Sequence, residues 1–223
     1  GARASGVGML SIAVPESLKL LLNGHLPEAL IIDCPETQSG AIASLPSVAS
    51  DFSKYDAIAC GSGLTLDAEP IIEQILHANC PLVLDADGLN SLVALGTDRL
   101  LERQQETILT PHLGEFKRLF PHVVEPNGDR LNAVTQAAKE SKVIVLFKGT
   151  KTAIADSNGS IWIIPESTPA LARGGSGDVL TGLIGGLVAQ KSVRDFIPCS
   201  AKGDRQNLSP YVSVVATAAW WHA

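Results

Sequence analysis

Short uninterrupted apolar runs alternate with longer stretches of helical period along most of this chain. The runs fall at residues 9–14, 29–32, 57–60, 81–84, 107–109 and 143–147, bounded by Pro, Gly or Asp, as strands buried in a parallel sheet usually are. Between them, helical spacing predicts helices over 15–22, 67–78, 114–120, 130–141 and 176–190. Residues 152–156 and 160–164 flank Ser157-Asn158-Gly159, a hairpin signature, so an antiparallel pair is expected to close one sheet edge. The pattern predicts an α/β fold, a mostly parallel central sheet with helices on both faces.

Composition narrows the classes. With 223 residues and 45% hydrophobic content the chain can bury one substantial core, and no low-complexity stretch divides it, so one domain is expected. A net charge of −6 with the acids spread along the chain argues against a nucleic-acid partner. The apolar runs 179–190 and 212–221 are too short to span a bilayer, and no signal-peptide order opens the chain, so no membrane partner is expected. Cys34, Cys60, Cys80 and Cys199 form no CxxC pair, which fits reduced thiols and a cytoplasmic location.

The segment that carries most chemistry is Leu171-Ala172-Arg173-Gly174-Gly175-Ser176-Gly177-Asp178-Val179-Leu180-Thr181-Gly182. Its small residues allow successive N–H groups to approach a phosphate, and Ser176 is the expected N-cap of the apolar run that follows. Asp178 falls in the first turn, where the helix dipole favours a carboxylate facing whatever attacks that phosphate. Plain helix capping explains the same residues. Gly182, Gly185 and Gly186 cost the helix about 1 kcal/mol each, so close packing or a ligand must offset them.

Four other segments follow expected strands and should share one rim with it. In Cys60-Gly61-Ser62-Gly63-Leu64, Gly63 is placed to let a ligand near the backbone; the third glycine of a dinucleotide fingerprint is missing. In Asp85-Ala86-Asp87-Gly88-Leu89-Asn90, the two acids point to opposite sides if the strand continues, so one faces the pocket, with Asn90 capping or orienting Asp87. In Thr110-Pro111-His112-Leu113-Gly114-Glu115, His112 and Glu115 share a helix face, where a His can donate to a substrate and a Glu can hold hydrated Mg²⁺; taken alone, this pattern is more often a capped helix start. Lys148-Gly149-Thr150-Lys151-Thr152 brings ammonium and N–H groups to the rim, as a nucleotide phosphate requires or as a solvated turn displays, and it is not a Walker-type loop. His25, His77, His122 and His222 have no partner at metal-ligand spacing and read as surface or packing residues.

Taken in order, VLDADGLN, ILTPHLGEFKRL, KGTKT and LARGGSGDVLTGLIGGLVAQ resemble the ADP/ATP-dependent NAD(P)H-hydrate dehydratases of the ribokinase-like superfamily, over most of the chain. The resemblance implies a ribokinase-like fold and a repair activity. Hydrated NADH or NADPH, hydroxylated at C6 of the nicotinamide ring, is phosphorylated by ADP or ATP and then loses phosphate. It implies Asp178 as the catalytic acid-base residue and as a substrate contact. Gly174, Gly175, Ser176 and Gly177 become the anion hole, and Lys148, Gly149, Thr150, Lys151 and Thr152 the stretch that holds the adenine nucleotide. Gly63, Asp87, Asn90 and His112 fall on the side of the hydrated dinucleotide, and Glu115 stands where related kinases organise Mg²⁺. Relatives are commonly homo-oligomers, and the apolar run 212–221 is a candidate contact between copies.

The family pattern reads GPG, HPG and a Thr before GGSGD, where this chain has Ser62, Leu113 and Arg173; no reactive group is lost. The expected unit is one dehydratase domain over 1–223, without the family's N-terminal strand-turn and C-terminal helical end, and with a mobile polar loop at 191–210. A small-molecule kinase of the same superfamily, such as a hydroxymethylpyrimidine kinase, is the competing enzyme; those kinases more often carry Asn in place of His112. A nucleotide-binding protein without turnover is the non-enzymatic alternative.

Overall fold

Successive residues of a strand point to opposite faces of its sheet, and here both sets are apolar, so the sheet needs cover on both sides. A computed structural model describes residues 1–123, 129–165, 168, 171–192 and 209–223. The expected loop at 191–210 and Cys199 lie largely or wholly outside the described residues; the other three cysteines are free thiols.

The elements run β1 (Ser11–Pro15), α1 (Lys19–His25), β2 (Leu30–Cys34), α2 (Ser47–Ser50), β3 (Ile58–Cys60), α3 (Glu69–Leu76), β4 (Leu82–Leu84), α4 (Ala86–Leu95), β5 (Thr107–Leu109), α5 (Leu113–Leu119), α6 (Arg130–Ser141), β6 (Ile144–Phe147), β7 (Thr152–Ala155), β8 (Ile161–Ile164), α7 (Ser176–Ala189) and α8 (Pro210–His222). Strands β3 to β8 form one six-stranded sheet in chain order. Its first four strands are parallel, and β7 and β8 join antiparallel. The expected hairpin thus closes one edge. One expectation is corrected: β1 and β2 pair in parallel as a separate two-stranded sheet instead of extending the main one.

The two faces have separate cores. Leu82, Leu84, Leu109, Val145 and Phe147 meet α3, α4, α5 and α6, while Val83, Ile108, Ile144 and Leu146 meet α7 and α8. Phe147 stacks on Phe116 at 4.2 Å between ring centroids, and the Arg130 guanidinium lies 3.6 Å over the Phe147 ring, which fixes the end of β6.

Local chemistry sets the helix ends. Asp129 accepts from Asn132 N–H to start α6, and Lys142 in the left-handed region ends it. Helix α4, missing among the predicted helices, begins directly on β4 with Asp85 as its cap and stops at Gly96. Helix α7 begins as expected at Ser176, but its N-cap is Gly175 at φ 84°, so the capping role predicted for Ser176 moves back one residue. That conformation is open to glycine and strained for other residues. A Cβ on Gly185 would reach 2.9 Å from Ala59 Cβ, and one on Gly186 would collide with Ser5 Oγ. The helix glycines therefore serve close packing against β3 and the N-terminal turn. Helix α8 buries Val212, Val214, Val215, Ala216, Ala218 and Ala219 within the chain; only Trp220 and Trp221 of the run 212–221 stay well exposed. No helix among the described residues is long and apolar enough to cross a membrane.

At the end of the sheet where β5 begins, burial and the charge of Asp156 push Glu106 up to about 7, partly countered by the Ser209 hydroxyl. The folded chain then holds a proton on Glu106 that the unfolded chain releases near the ordinary value of 4.5. Stability must therefore fall as pH rises from 4.5 to about 7, by about 3 kcal/mol in all from this group. Glu106→Gln is expected to flatten that slope and to melt higher than the wild type at pH 8; urea titrations across this range measure it.

Candidate active site

Parallel register brings the ends of β3, β4 and β5 level, with Cys60 beside Leu84 and Leu84 beside Leu109. The backbone carries this alignment past the strands: Asp85 N–H donates to the Cys60 carbonyl at 3.1 Å, Thr110 N–H to Leu84 at 3.1 Å and Lys148 N–H to Pro111 at 2.8 Å. The four predicted segments thus share one rim, where ligands of such sheets gather. Gly61, at φ 132°, lies so close to the Asp85 carbonyl that a Cβ would collide with it. Asp87 Oδ2 accepts from Thr65 N–H at 3.0 Å, pinning the far end of that loop. Gly63, at φ 70°, faces open space.

A buried ion pair lies at the middle of the rim. Asp85 is 1% exposed, and its Oδ1 accepts from Lys148 Nζ at 2.7 Å and from Ala86 N–H at 2.9 Å. Its Oδ2 accepts from the Thr181 hydroxyl of α7 at 2.7 Å. Of the two acids in DADGLN, Asp85 therefore turns inward, and Asp87 holds the neighbouring loop. A Cβ on Gly177 would stand 3.4 Å from both Asp85 Oδ2 and Lys148 Nζ, so the pair lies against the first turn of α7. Gly174 and Gly175 face open space, and Asp178 is exposed in that first turn, with no hydrogen-bond partner among the described residues. Ser176 is tied instead to the end of α8: His222 Nε2 lies 2.9 Å from its carbonyl oxygen and 3.1 Å from its hydroxyl.

The His112 and Glu115 pair is a capping box. His112 Nδ1 accepts from Gly114 N–H at 2.9 Å and Glu115 N–H at 3.2 Å, while Glu115 Oε2 accepts from His112 N–H at 2.8 Å. An Nδ1 that accepts leaves the proton of a neutral ring on Nε2, which lies 3.4 Å from Glu115 Oε1 on a side chain 56% exposed. Capping and presentation of an N–H to a ligand are compatible. Glu115 is different, since its carboxylate is 7% exposed and committed to the cap. Among the described residues no three His, Cys, Asp or Glu side chains gather as metal ligands, so these residues do not form a protein cage for Mg²⁺. Asn90 does not orient Asp87 as expected; its Oδ1 accepts from Arg118 Nη2 at 2.9 Å.

In the turn after β6, Arg130 Nη2 donates to the carbonyls of Phe147 and Lys148, and Gly149 lies against the same guanidinium, where a Cβ would come within 2.9 Å. Thr150 and Lys151 stay exposed, and the Thr152 hydroxyl donates to the Gly149 carbonyl at 3.3 Å. A cavity of about 260 Å³, lined by Glu73, His77, Arg99, Glu102 and Arg103 among others, lies at the opposite end of the strands. Sequence reasoning left open which of Asp85 and Asp87 faces the pocket and favoured Asp87, read His222 as a surface or packing residue, and gave no site role to Thr181, Arg118 or Arg130. Of the residues so missed, only Asp85 carried a signal, an acid directly after a fully apolar strand.

The family model described as NAD(P)H-hydrate dehydratase matches residues 1–223. The chain is 52% identical over 224 residues to the bifunctional NAD(P)H-hydrate repair enzyme Nnr of Synechocystis sp., covering 100% of this chain and 39% of that protein. It is 35% identical over 191 residues to the ADP-dependent (S)-NAD(P)H-hydrate dehydratase of Bacillus subtilis, covering 84% of this chain and 64% of that one. A crystal structure of ADP/ATP-dependent NAD(P)H-hydrate dehydratase from Bacillus subtilis, co-crystallised with ATP/Mg²⁺, superposes with a TM-score of 0.72 at 30% identity, covering 99% of this chain and 70% of that one. A ribokinase-like superfamily protein from Enterococcus faecalis, at 21% identity and a TM-score of 0.76, covers 99% of this chain and 69% of its own and shares the fold. The chain spans 39% and 40% of the length of the bifunctional relatives from Synechocystis and Gloeobacter violaceus.

The contrast between Gly61 and Gly63 is testable by melting. Gly61→Ala combines left-handed strain with a backbone collision and is expected to cost at least about 2 kcal/mol, a fall of roughly 5 °C or more in Tm. Gly63→Ala meets no neighbouring atom and should cost only the strain, about 1 kcal/mol. Equal losses would mean that the loop does not rest on Asp85 as described.

Proposed function

Because this chain belongs to the NAD(P)H-hydrate dehydratase family, we propose that it restores hydrated NADH and NADPH to the reduced dinucleotides at the expense of ADP or ATP. The observation that carries the reading is the first turn of α7. An exposed carboxylate, Asp178, follows Gly174-Gly175-Ser176-Gly177, with the Lys148 ammonium lying against Gly177. Open N–H groups, a positive helix end and one ammonium suit a transferring phosphoryl group, and the carboxylate beside them suits the group that attacks it.

In the proposed sequence Asp178 takes the proton from the C6 hydroxyl as that oxygen attacks the terminal phosphorus. The bond from phosphorus to the nucleotide's bridging oxygen breaks, releasing AMP from ADP or ADP from ATP. The ring nitrogen's lone pair then expels phosphate from C6, and loss of a proton from C5 restores the ring double bond. Phosphate leaves far more readily than hydroxide, which is why the nucleotide is required. N–H groups of Gly174, Gly175, Ser176 and Gly177 stabilise the charge on the transferring group, and Lys148, Gly149, Thr150, Lys151 and Thr152 hold the nucleotide. His112 offers Nε2–H to the hydrated dinucleotide beside the open backbone of Gly63. Asp87 and Asn90 serve that side indirectly, through Thr65 and Arg118. Glu115, at the start of α5, would organise the hydrated Mg²⁺ that the nucleotide brings. One dehydratase domain over these residues, a homo-oligomeric state and cytoplasmic action complete the proposal.

Turnover is read from the returning near-ultraviolet absorbance of reduced nicotinamide when the full-length protein receives hydrated NADH with ADP or ATP. Phosphorylated dinucleotide accumulating without that return would identify a small-molecule kinase. Asp178→Asn should keep the fold and nucleotide binding while lowering turnover by about 10²–10⁴-fold; wild-type turnover in this variant would remove Asp178 from the mechanism.

Two further variants separate the ligands by calorimetry. Lys148→Ala should weaken nucleotide binding by roughly 1.5–3 kcal/mol and leave the hydrated dinucleotide almost untouched. His112→Ala should do the reverse, by about 1–3 kcal/mol, and also lower stability by about 1 kcal/mol through the lost cap. A His112→Ala protein that only melts lower would reduce His112 to a capping residue.

A further inference from the structure

We propose that Asp85 is a positioning residue for phosphoryl transfer, acting through Lys148 on one carboxylate oxygen and through Thr181 on the other; the proposal rests on the dehydratase reading above. The motif that contains Asp85 also caps α4, and a cap needs only one oxygen and one N–H. The remaining contacts exceed that need. Lys148 Nζ, from the end of β6, lies 2.7 Å from Oδ1, and the Thr181 hydroxyl, from α7, lies 2.7 Å from Oδ2. One buried carboxylate thus joins β4, β6 and α7 at the rim.

Lys148 sits where an ammonium is not stable unaided. Its Nζ lies against the first turn of α7, whose positive end repels it, and its side chain is only 22% exposed. Asp85 counters both the ammonium and the helix end. It does so without exhausting the ammonium, which has three donors and spends one on Oδ1. Among the described residues the other two N–H groups have no partner, so they can meet a phosphate from a fixed direction. Thr181 follows Asp178 by three residues on the same helix, so its bond to Oδ2 fixes the rotation of α7 about its axis and with it the direction of the Asp178 carboxylate. Asp85 therefore sets the relation between the cation that meets the nucleotide phosphate and the carboxylate that deprotonates the acceptor hydroxyl. Displacement of reacting groups by about 1 Å costs on the order of 100-fold in rate.

The test is a kinetic double-mutant cycle in the full-length protein, with melting temperature and ADP affinity measured on every variant. Asp85→Asn keeps the shape of the side chain but not its charge. It should lower kcat by about 10–100-fold while the ADP dissociation constant stays within about threefold, because a released Lys148 still reaches the phosphate as a point charge. Asp85→Asn combined with Lys148→Ala should lose little more than Lys148→Ala alone, since groups acting as a unit are not additive. Thr181→Val should lower kcat and Thr181→Ser restore it, which keeps the proposal testable if Asp85→Asn fails to fold. Wild-type kcat in Asp85→Asn, or independent losses in the double variant, would overturn the role of Asp85 and leave the dehydratase reading standing. A wild type that does not return reduced nicotinamide from its hydrate would overturn that reading and this proposal with it.

Discussion

Asp85 is the point at which the two faces of the sheet are made to agree. The helices on one side pack on Leu82, Leu84 and Phe147 and those on the other, α7 among them, on Val83, Ile144 and Leu146. Apolar packing is not directional and would tolerate small slides of a glycine-rich helix. A carboxylate bonded at 2.7 Å to Lys148 and at 2.7 Å to Thr181 does not. Burial makes that arrangement obligatory, because a carboxylate 1% exposed must find partners for both oxygens within the protein.

The glycines around this point have different duties. Gly61 allows the loop after β3 to lie against Asp85 and Gly88, Gly177 leaves room for the ion pair under α7, and Gly185 lets the same helix approach Ala59. Gly174 and Gly175 face no neighbour among the described residues. Close packing accounts for the first group and the left-handed cap conformation for Gly175, whereas Gly174 has neither reason, as expected when a backbone is kept bare for a ligand. His112 shows how one residue is fixed twice: its Nδ1 secures the start of α5, and its Nε2 lies 3.4 Å from Glu115 Oε1, so the ring is held against the cap.

Much of the fold was legible because burial on both faces of a parallel sheet writes an uninterrupted apolar run. The runs at 107–109 and 143–147 coincide with β5 and β6 to within a residue, and helix α6 begins and ends at its predicted bounds. Helix α4 escaped because β4 passes into it without a loop, so DADGLN carries strand-end, cap and first turn in six residues. The separation of β1 and β2 from the main sheet was not legible, since strand pairing leaves no mark on a strand's own composition. In the site, chemistry-bearing residue types drew the eye to Asp178, Lys148 and His112, whereas Asp85, Thr181 and His222 act through partners 63, 96 and 46 residues away. Contacts at such separation have no local period to betray them.

The charge balance of the chain poses a last physical constraint. A protein of net charge −6 is proposed to bind two polyanions, an adenine nucleotide and a dinucleotide. Net charge acts over a Debye length of about 8 Å in physiological salt, so attraction must be arranged within the rim itself. With Asp85 partly offsetting Lys148, fixed dipoles add to the lysines of the turn after β6: the N-terminal end of α7 and bare N–H groups at Gly174 and Gly175. Fixed dipoles need no counter-charge in the empty site and no reorganisation when charge moves from nucleotide to acceptor oxygen. A site built on them can hold the transferring phosphoryl group firmly and still release the phosphate that the elimination must expel.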